Sequence, residues 1–403
     1  MQSILIIGGG FAGVWSALGA AAARRELTDD SAELRIALVS RDPYLTVRPR
    51  LYEARLADVQ VPLDAVLGRI GVERIEGEVT GIDAGARTTT VNVKGDRRTL
   101  AYDRLVLAAG SRLHRPAIPG AQNAFSVDTF AEAAALDRHL ATLAEQSARA
   151  GRFTAVVVGA GFTGLEVATE LLGRLQLLAA RAGAVDEARV VLVERAEVVA
   201  PDLGPNPRLV IEAALRDLGI AVRLGATAAA VHPHGVTLAD GEWIPAATTV
   251  WTGGLRASAL TAHFPVECDG LGRLPVDEYL RVRRVNGVLA AGDVAHAMAD
   301  SEHVAPMSCQ HAIPMGEQAG RNAVAELLGG PLVPYAQPDY VTCLDLGAWG
   351  ALFTQGWDRR VKLIGHWAKV MKEAINTRLI YPPVHGHRPE LVRTRADELA
   401  PAA

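Results

Sequence analysis

The chain has 403 residues, 49% of them hydrophobic and 21% charged, enough for a large globular core divided over two or three domains. A formal charge of −4 gives no basic field for nucleic acid, and no apolar run reaches a membrane-spanning length. Three scattered cysteines, Cys268, Cys309 and Cys343, form neither a disulfide framework nor a zinc set, so a reducing, cytoplasmic setting is expected and no metal is called for. Met1 opens almost directly onto a strand without a basic leader, so export is not expected.

The first element runs Ser-Ile-Leu-Ile-Ile-Gly-Gly-Gly-Phe-Ala-Gly from Ser3 to Gly13. Ile4 to Ile7 suit a strand buried on both faces, and Gly8, Gly10 and Gly13 then set G-x-G-x-x-G before an Ala-rich helix. That turn is a pyrophosphate cradle, because glycine lets the backbone approach phosphate and the helix N-terminus offers free amides to the anion. Leu34 to Ser40 predicts the second parallel strand, ending in Ser40 where a ribose-binding carboxylate is usual; the hydroxyl can still bond the ribose, and Arg41 can stack on adenine. Asp42 to Tyr52 reads as a loop entering a short helix, with Arg48 either a surface cation or a charge beside a cofactor. Alternating runs from Arg74 to Val93 predict a β-meander. Tyr102 to Gly110 predicts a buried strand whose small end, Ala109 and Gly110, admits a cofactor. Asp128 to Ala148 has helical period, with Leu136, Leu140 and Leu143 on one face and Gly151 closing it.

Thr154 to Glu166 repeats the opening pattern, with Gly159, Gly161 and Gly164 between a strand and a helix. Ala188 to Glu194 is its second strand, and Glu194 ends it with a carboxylate that accepts from a 2′-hydroxyl and repels a 2′-phosphate. NADH is thereby favoured over NADPH, although Arg195 could offset the repulsion. His232-Pro-His234-Gly reads as a hairpin turn rather than a metal site, since no third ligand accompanies the pair. After Thr248 to Gly254, Gly287 to Asp293 forms a strand ending in Gly292-Asp293, either a plain terminus or a carboxylate for a ribityl or ribose hydroxyl. Pro306 to Leu328 predicts a helix that Pro314 must kink or delay.

Tyr335 to Ala403 predicts short strands followed by a helix over Lys362 to Ile380. Its apolar residues at 364, 367, 371, 374, 375 and 379 share a face, with Lys362, Lys369 and Lys372 elsewhere. Such a helix packs its stripe on the domain beneath, or lies on an anionic membrane. Beyond Pro382 a charged, mobile tail is expected.

The first cradle and Gly292-Asp293 must share a domain interrupted by the second cradle. This nesting resembles the two-dinucleotide-binding-domain flavoproteins of the pyridine nucleotide-disulfide oxidoreductase superfamily, over about Met1 to Leu328. The resemblance implies an α/β fold of two nested Rossmann-like domains with three-layer ββα/βα sheets and a small C-terminal α+β domain. Residues 1–127 and 266–330 would bind FAD, 128–265 would bind NAD, and 331–403 would form the last domain. It also implies that Gly8, Gly10, Phe11, Ala12, Gly13, Ser40, Arg41, Arg48, Pro49, Ala109, Gly110, Gly292 and Asp293 hold FAD, that Gly159, Gly161, Gly164 and Glu194 hold NAD(H), and that Gln310 also contacts a cofactor.

No C-x-x-C or C-x4-C pair is present, as disulfide reductases require, and the chain looks most like the type II NADH dehydrogenases. Arg41, Tyr44, Pro49, Leu51 and Tyr52 align with that family's D-R-x-N-Y-H-L-F-Q-P-L-L-Y segment, and Glu166 with its glutamate after the second glycine motif. Ser308 to Gly316 corresponds to the A-Q-x-A-x-Q-x-G quinone-site helix through Gln310, Ala312 and Gly316, with Pro314 in place of the second glutamine. Arg48-Pro49-x-Leu51 also resembles the R-P-x-L element of ferredoxin reductases.

The expected activity is FAD-dependent oxidation of NADH, with Glu166 gating the hydride or relaying protons, or serving only as a carboxylate near a helix start, and Gln310 at the acceptor site. The expected acceptor is a quinone. A soluble acceptor, a slow redox sensor and a thiol reaction at Cys309 with Cys343 are alternatives. A homodimer and peripheral contact of 362–380 with the inner membrane face complete the expectations.

Overall fold

The computed structural model describes residues 1–27 and 34–383. Its core is a five-stranded parallel sheet in the order Val288–Ala290, Arg104–Leu107, Gln2–Ile7, Leu34–Ser40, Glu73–Glu76. Ile4 to Ile7 are all under 5% exposed, as expected of a strand covered on both faces. The fifth member of that sheet arrives after a second parallel sheet has been built, in the order Ala221–Arg223, Arg189–Val193, Thr154–Val158, Thr248–Trp251. The chain is therefore two nested Rossmann-like units. In each, the central strand feeds a glycine turn and a helix, Phe11–Leu27 in the first and Phe162–Arg181 in the second.

The helix Phe130–Thr142 enters the second unit with Leu136, Leu140 and the following Leu143 buried. Thr129 and Glu132 form a reciprocal capping box at its start. The predicted meander is real but shifted. Glu73–Glu76 belongs to the parallel sheet, and the antiparallel strands are Glu78–Asp83, Thr88–Val93 and Asp96–Ala101. The loop after Ser40 contains a short strand, Tyr44–Thr46, paired with Gln60–Pro62, before the 3-10 turn Arg48–Arg50. His232 pairs with Gly235 across a hairpin turn that contains His234, as read from the sequence.

Two expectations change. The helix Cys309–Leu328 starts at its Ser308 cap and runs through Pro314. Proline lacks the N–H that would bond the carbonyl four residues back, and that carbonyl, on Gln310, instead accepts the Gln337 side-chain amide at 3.2 Å. The second change is larger. Lys362 does not begin a helix, because Arg360–Gly365 is the third strand of an antiparallel sheet with Val341–Asp345 and Ala351–Gln355. The helix is only His366–Ala374, continued by a π-turn over Ile375–Leu379. Its predicted face holds only in part: Met371, Ala374 and Ile375 are partly buried, whereas Trp367 and Leu379 are exposed at 70% and 48% and Lys372 is buried at 5%. The tail expected beyond Pro382 falls almost entirely on 384–403, outside the described residues.

Candidate functional site

The first glycine turn shows what each glycine does. A Cβ on Gly13 would lie 1.8 Å from the Gly8 carbonyl oxygen, and Gly8 itself has φ +120. These two close the turn against the helix. Gly10 differs: a Cβ there meets nothing within 4 Å, so the turn borders open space at the start of the Phe11–Leu27 helix. This is the cradle a pyrophosphate fits. Phe11 and Ala12 are buried beneath it, and Ser40 closes its side, with Oγ 2.4 Å from where a Gly9 Cβ would be. Arg41 lies at the rim with Asp42 and Glu78, its side chain half exposed. Gly10→Val is expected to fold, since its Cβ clashes with nothing, and to lose bound FAD. Thermal unfolding and flavin absorbance of the purified variant check this.

Along the same carboxyl edge of the sheet, Asp293 accepts the Ser111 hydroxyl at 2.5 Å, and Arg48 stands 3.8 Å from it. Arg48 also contacts the Ser111 hydroxyl and pairs with Asp128, so its charge is shared between two carboxylates. Pro49 fixes the 3-10 turn carrying Arg48, and Ala109 and Gly110 follow the neighbouring strand, Gly110 with φ +66. These sequence-predicted residues converge at the carboxyl ends of the parallel strands, where α/β sheets place ligands. Gly316 accounts for one further motif position. A Cβ there would lie 2.3 Å from the Ala12 carbonyl oxygen, so it allows the Cys309–Leu328 helix to press on the first cradle's helix.

The second turn repeats the geometry. A Gly164 Cβ would lie 1.8 Å from the Gly159 carbonyl oxygen, while a Gly161 Cβ has only Asp202 Oδ2, at 4.0 Å. Glu194 is 8% exposed, and its two oxygens accept the Ala160 and Ala196 amides at 2.7 and 2.9 Å. The carboxylate is thereby fixed beside the second glycine turn.

Glu166, five residues into the second helix, points to where the units meet. It is 4% exposed, and its Oε1 pairs with Lys372 Nζ at 2.7 Å and accepts the Asp345 amide at 3.1 Å. Lys372 also lies over the rings of Phe162, from the second cradle's helix, and Tyr52, from the first unit, at 5.5 and 5.8 Å. Burial pushes the Glu166 carboxyl up to about 7, with Lys372 opposing. Glu166 is thus a buried ion-pair partner and not merely a carboxylate suited to a helix dipole.

Burial holds Cys309 at about 11 and Cys343 at about 12, although both feel the Lys372 charge, so neither thiol is ionised at neutral pH. Gln310 sits in the first turn of the Cys309–Leu328 helix. The next residue, His311, is fully buried, with its Nδ1 2.8 Å from the Ser308 hydroxyl.

Sequence reasoning missed Lys372, Lys369 and Asp345 as site residues and gave Tyr52 no role. One signal was available: only four lysines occur in the chain, three of them between 362 and 372. A sequence that uses arginine nearly everywhere else keeps here the cation whose compact ammonium fits a buried pair.

The family model described as pyridine nucleotide-disulphide oxidoreductase matches residues 2–316. An NADH dehydrogenase-like protein of Mycobacterium tuberculosis is 48% identical over 402 residues, covering 100% of both chains. A type II NADH:quinone oxidoreductase of Staphylococcus epidermidis is 28% identical, covering 94% of this chain and 95% of that one. Among solved structures, NDH2 of Plasmodium falciparum in complex with NADH superposes with a TM-score of 0.77 at 15% identity, over 94% of this chain and 95% of that one, a likeness of fold.

Proposed function

Because the chain belongs to the pyridine nucleotide-disulphide oxidoreductase family, we propose that it oxidises NADH with bound FAD and delivers the electrons to a quinone. The carrying observation is the Glu166–Lys372 pair, held between the helix of one cradle and residues of the other unit. The similarity to NADH dehydrogenase-like and type II NADH:quinone oxidoreductase relatives supports the same reading.

The chemistry FAD supplies when bound is uptake of a hydride from NADH and onward delivery of two electrons. The protein's part is alignment and charge. Gly8, Gly10 and Gly13 would hold the FAD pyrophosphate, with Ser40 and Arg41 at its adenosine end and Asp293, Ala109 and Gly110 along the ribityl side. Gly159, Gly161, Gly164 and Glu194 would hold NADH. Arg48 and the N-terminus of the Cys309–Leu328 helix bring positive potential to the same edge as Asp293. Glu166, protonated up to about 7, is the proton donor toward the acceptor, and Lys372 keeps it oriented. Gln310 would face the quinone; Pro314 cannot donate a second hydrogen bond. NADH:quinone turnover by the FAD-loaded protein tests the reading, and failure of every quinone to accept electrons would refute it.

We also place the outward face of the His366–Ala374 helix on an anionic bilayer. Trp367 and Val370 are exposed there, with Ile364 and Lys362 of the preceding strand and Arg378 also exposed. Among the described residues no helix is long and apolar enough to cross a membrane, so this contact is peripheral. Trp367→Ser is expected to weaken co-sedimentation with anionic vesicles about tenfold while leaving turnover with a water-soluble quinone unchanged.

A further inference from the structure

A second ion pair stands behind Glu166. Asp345, whose side chain is 7% exposed, meets Lys369 Nζ through both oxygens, at 2.6 and 2.7 Å. Its Oδ2 also accepts the Tyr52 hydroxyl at 2.9 Å, and its Oδ1 accepts the Gly347 amide at 2.9 Å. The backbone N–H of this same residue donates to Glu166 Oε1, the oxygen that Lys372 meets. Asp345 is thus fixed on its carboxylate side by three donors and fixes Glu166 with its main chain.

Beside this arrangement lies a cavity of about 160 Å³, lined by side chains that carry polar groups, Tyr52, Glu170, Asp345, Lys369, Lys372 and Thr377 among others. Thr377 and Glu373 are exposed at its rim, whereas Lys372 at its inner wall is buried. The space is large enough for several hydrogen-bonded waters, and its walls supply both donors and acceptors. It therefore joins solvent to Lys372 and Asp345, and one further contact from either reaches Glu166.

We propose that this cavity is a proton inlet that reloads Glu166 from solvent, and that Asp345, held by Lys369 and Tyr52, is the positioning residue on which that reloading depends. The proposal rests on the reading of Glu166 as the acid for a quinone acceptor. The stoichiometry requires such a route: NADH + H⁺ + quinone gives NAD⁺ + quinol. The hydride brings both electrons and one hydrogen, and the second hydrogen is a solvent proton.

The charged and titratable groups around Glu166 come from every neighbouring element. They are Lys372 and Lys369 from the last helix, Asp345 and the Cys343 thiol from the adjoining strand, Tyr52 and Glu53 from the first unit, and Glu170 from its own helix. Of these, Asp345 raises the Glu166 carboxyl and Lys372 lowers it. Removing the Asp345 charge should therefore let Glu166 ionise at lower pH, and removing the Lys369 charge should act in the opposite direction.

The test compares Asp345→Asn and Lys369→Met with the wild type as full-length, FAD-loaded proteins. Asparagine keeps the backbone amide and the shape, and Lys369 is partly exposed, so either variant alone decides the matter if the other fails to fold. The first readout is the infrared carbonyl band of the protonated Glu166 carboxyl, identified by its loss in Glu166→Gln and followed against pH in the resting protein. Its midpoint is expected to fall by about one pH unit in Asp345→Asn and to rise in Lys369→Met. The second readout is anaerobic. Reoxidation of the NADH-reduced protein by a quinone should slow about tenfold in Asp345→Asn, with the solvent deuterium isotope effect increased, while reduction by NADH changes less than twofold. Folded variants with wild-type band midpoints and wild-type reoxidation would overturn the inlet and leave the quinone reading intact. A reduced wild type that no quinone reoxidises would overturn that reading itself.

Discussion

Replacing Glu166 by glutamine should slow electron delivery to a quinone about a hundredfold or more, the range lost when a positioned acid is removed, and should slow hydride uptake from NADH far less. Glutamine retains size and can still accept the Asp345 amide, so the loss reports on the proton. In the wild type, the carboxyl is pushed from an ordinary 4.5 to about 7 by burial, so the acceptor half of the cycle should decline as pH rises through about 7. Stability is linked to the same group. A carboxyl whose folded value exceeds its unfolded one binds its proton more tightly when folded. Its contribution is complete below about 4.5 and is lost as pH rises through about 7. Lys372 is raised above its ordinary 10.5 by Glu166, so its contribution persists through neutrality and is lost only in strong alkali. Rapid-mixing kinetics of each half-reaction across pH check the first statement, and denaturant unfolding across pH checks the second. A Glu166→Gln enzyme with unaltered quinone reduction would remove Glu166 from the mechanism.

Lys372→Ala should be among the most destabilising single changes available in the chain, at about 3–5 kcal/mol, because it leaves a buried carboxylate without its partner. Lys372 and Glu166 are exposed by only 5% and 4%, so water cannot replace the lost ammonium without a structural opening. The Glu166 carboxyl should respond by holding its proton to still higher pH, since the cation that lowered it is gone. Combining Glu166→Gln with Lys372→Met should restore most of the stability, as a neutral, well-filled pair avoids the desolvation of two charges. Denaturant midpoints of the single and double variants, both loaded with FAD, measure this coupling. Simple additivity of the two losses would contradict the pairing.

Both cradles were legible in the sequence because a glycine turn reports backbone geometry directly. Gly13 and Gly164 would each put a Cβ 1.8 Å from a carbonyl oxygen, so the local pattern and the local structure are one constraint. The nesting was legible for a related reason: Val288–Ala290 has the small, apolar composition of a strand buried in a parallel sheet, and it joins the first sheet.

The last segment was misread because a 3.6-residue period was carried across Gly365, which has φ +70 and separates a strand from a helix. Past Ala374 the π-turn adds about one residue per turn, so the buried positions become Asn376 and Ile380 rather than 375 and 379. The lysines were set apart from the apolar stripe on their usual behaviour. The burial of Lys372 and the partial burial of Lys369 depend on Glu166 and Asp345, partners distant in the chain, which no local pattern reports. Tyr52 and Asp345 carry no signature of their own; only the assembled interface brings their side chains within 2.9 Å.

The central claim, that two cradles and the acid between them carry electrons from NADH to a quinone, is tested most directly by anaerobic double mixing of the FAD-loaded protein, first with NADH and then with a quinone, while flavin absorbance is recorded. The account predicts bleaching by one equivalent of NADH and full recovery on mixing with quinone, the recovery slowing as pH rises through about 7. Absence of bleaching by NADH, or a bleached protein that stays reduced with every quinone, would contradict it.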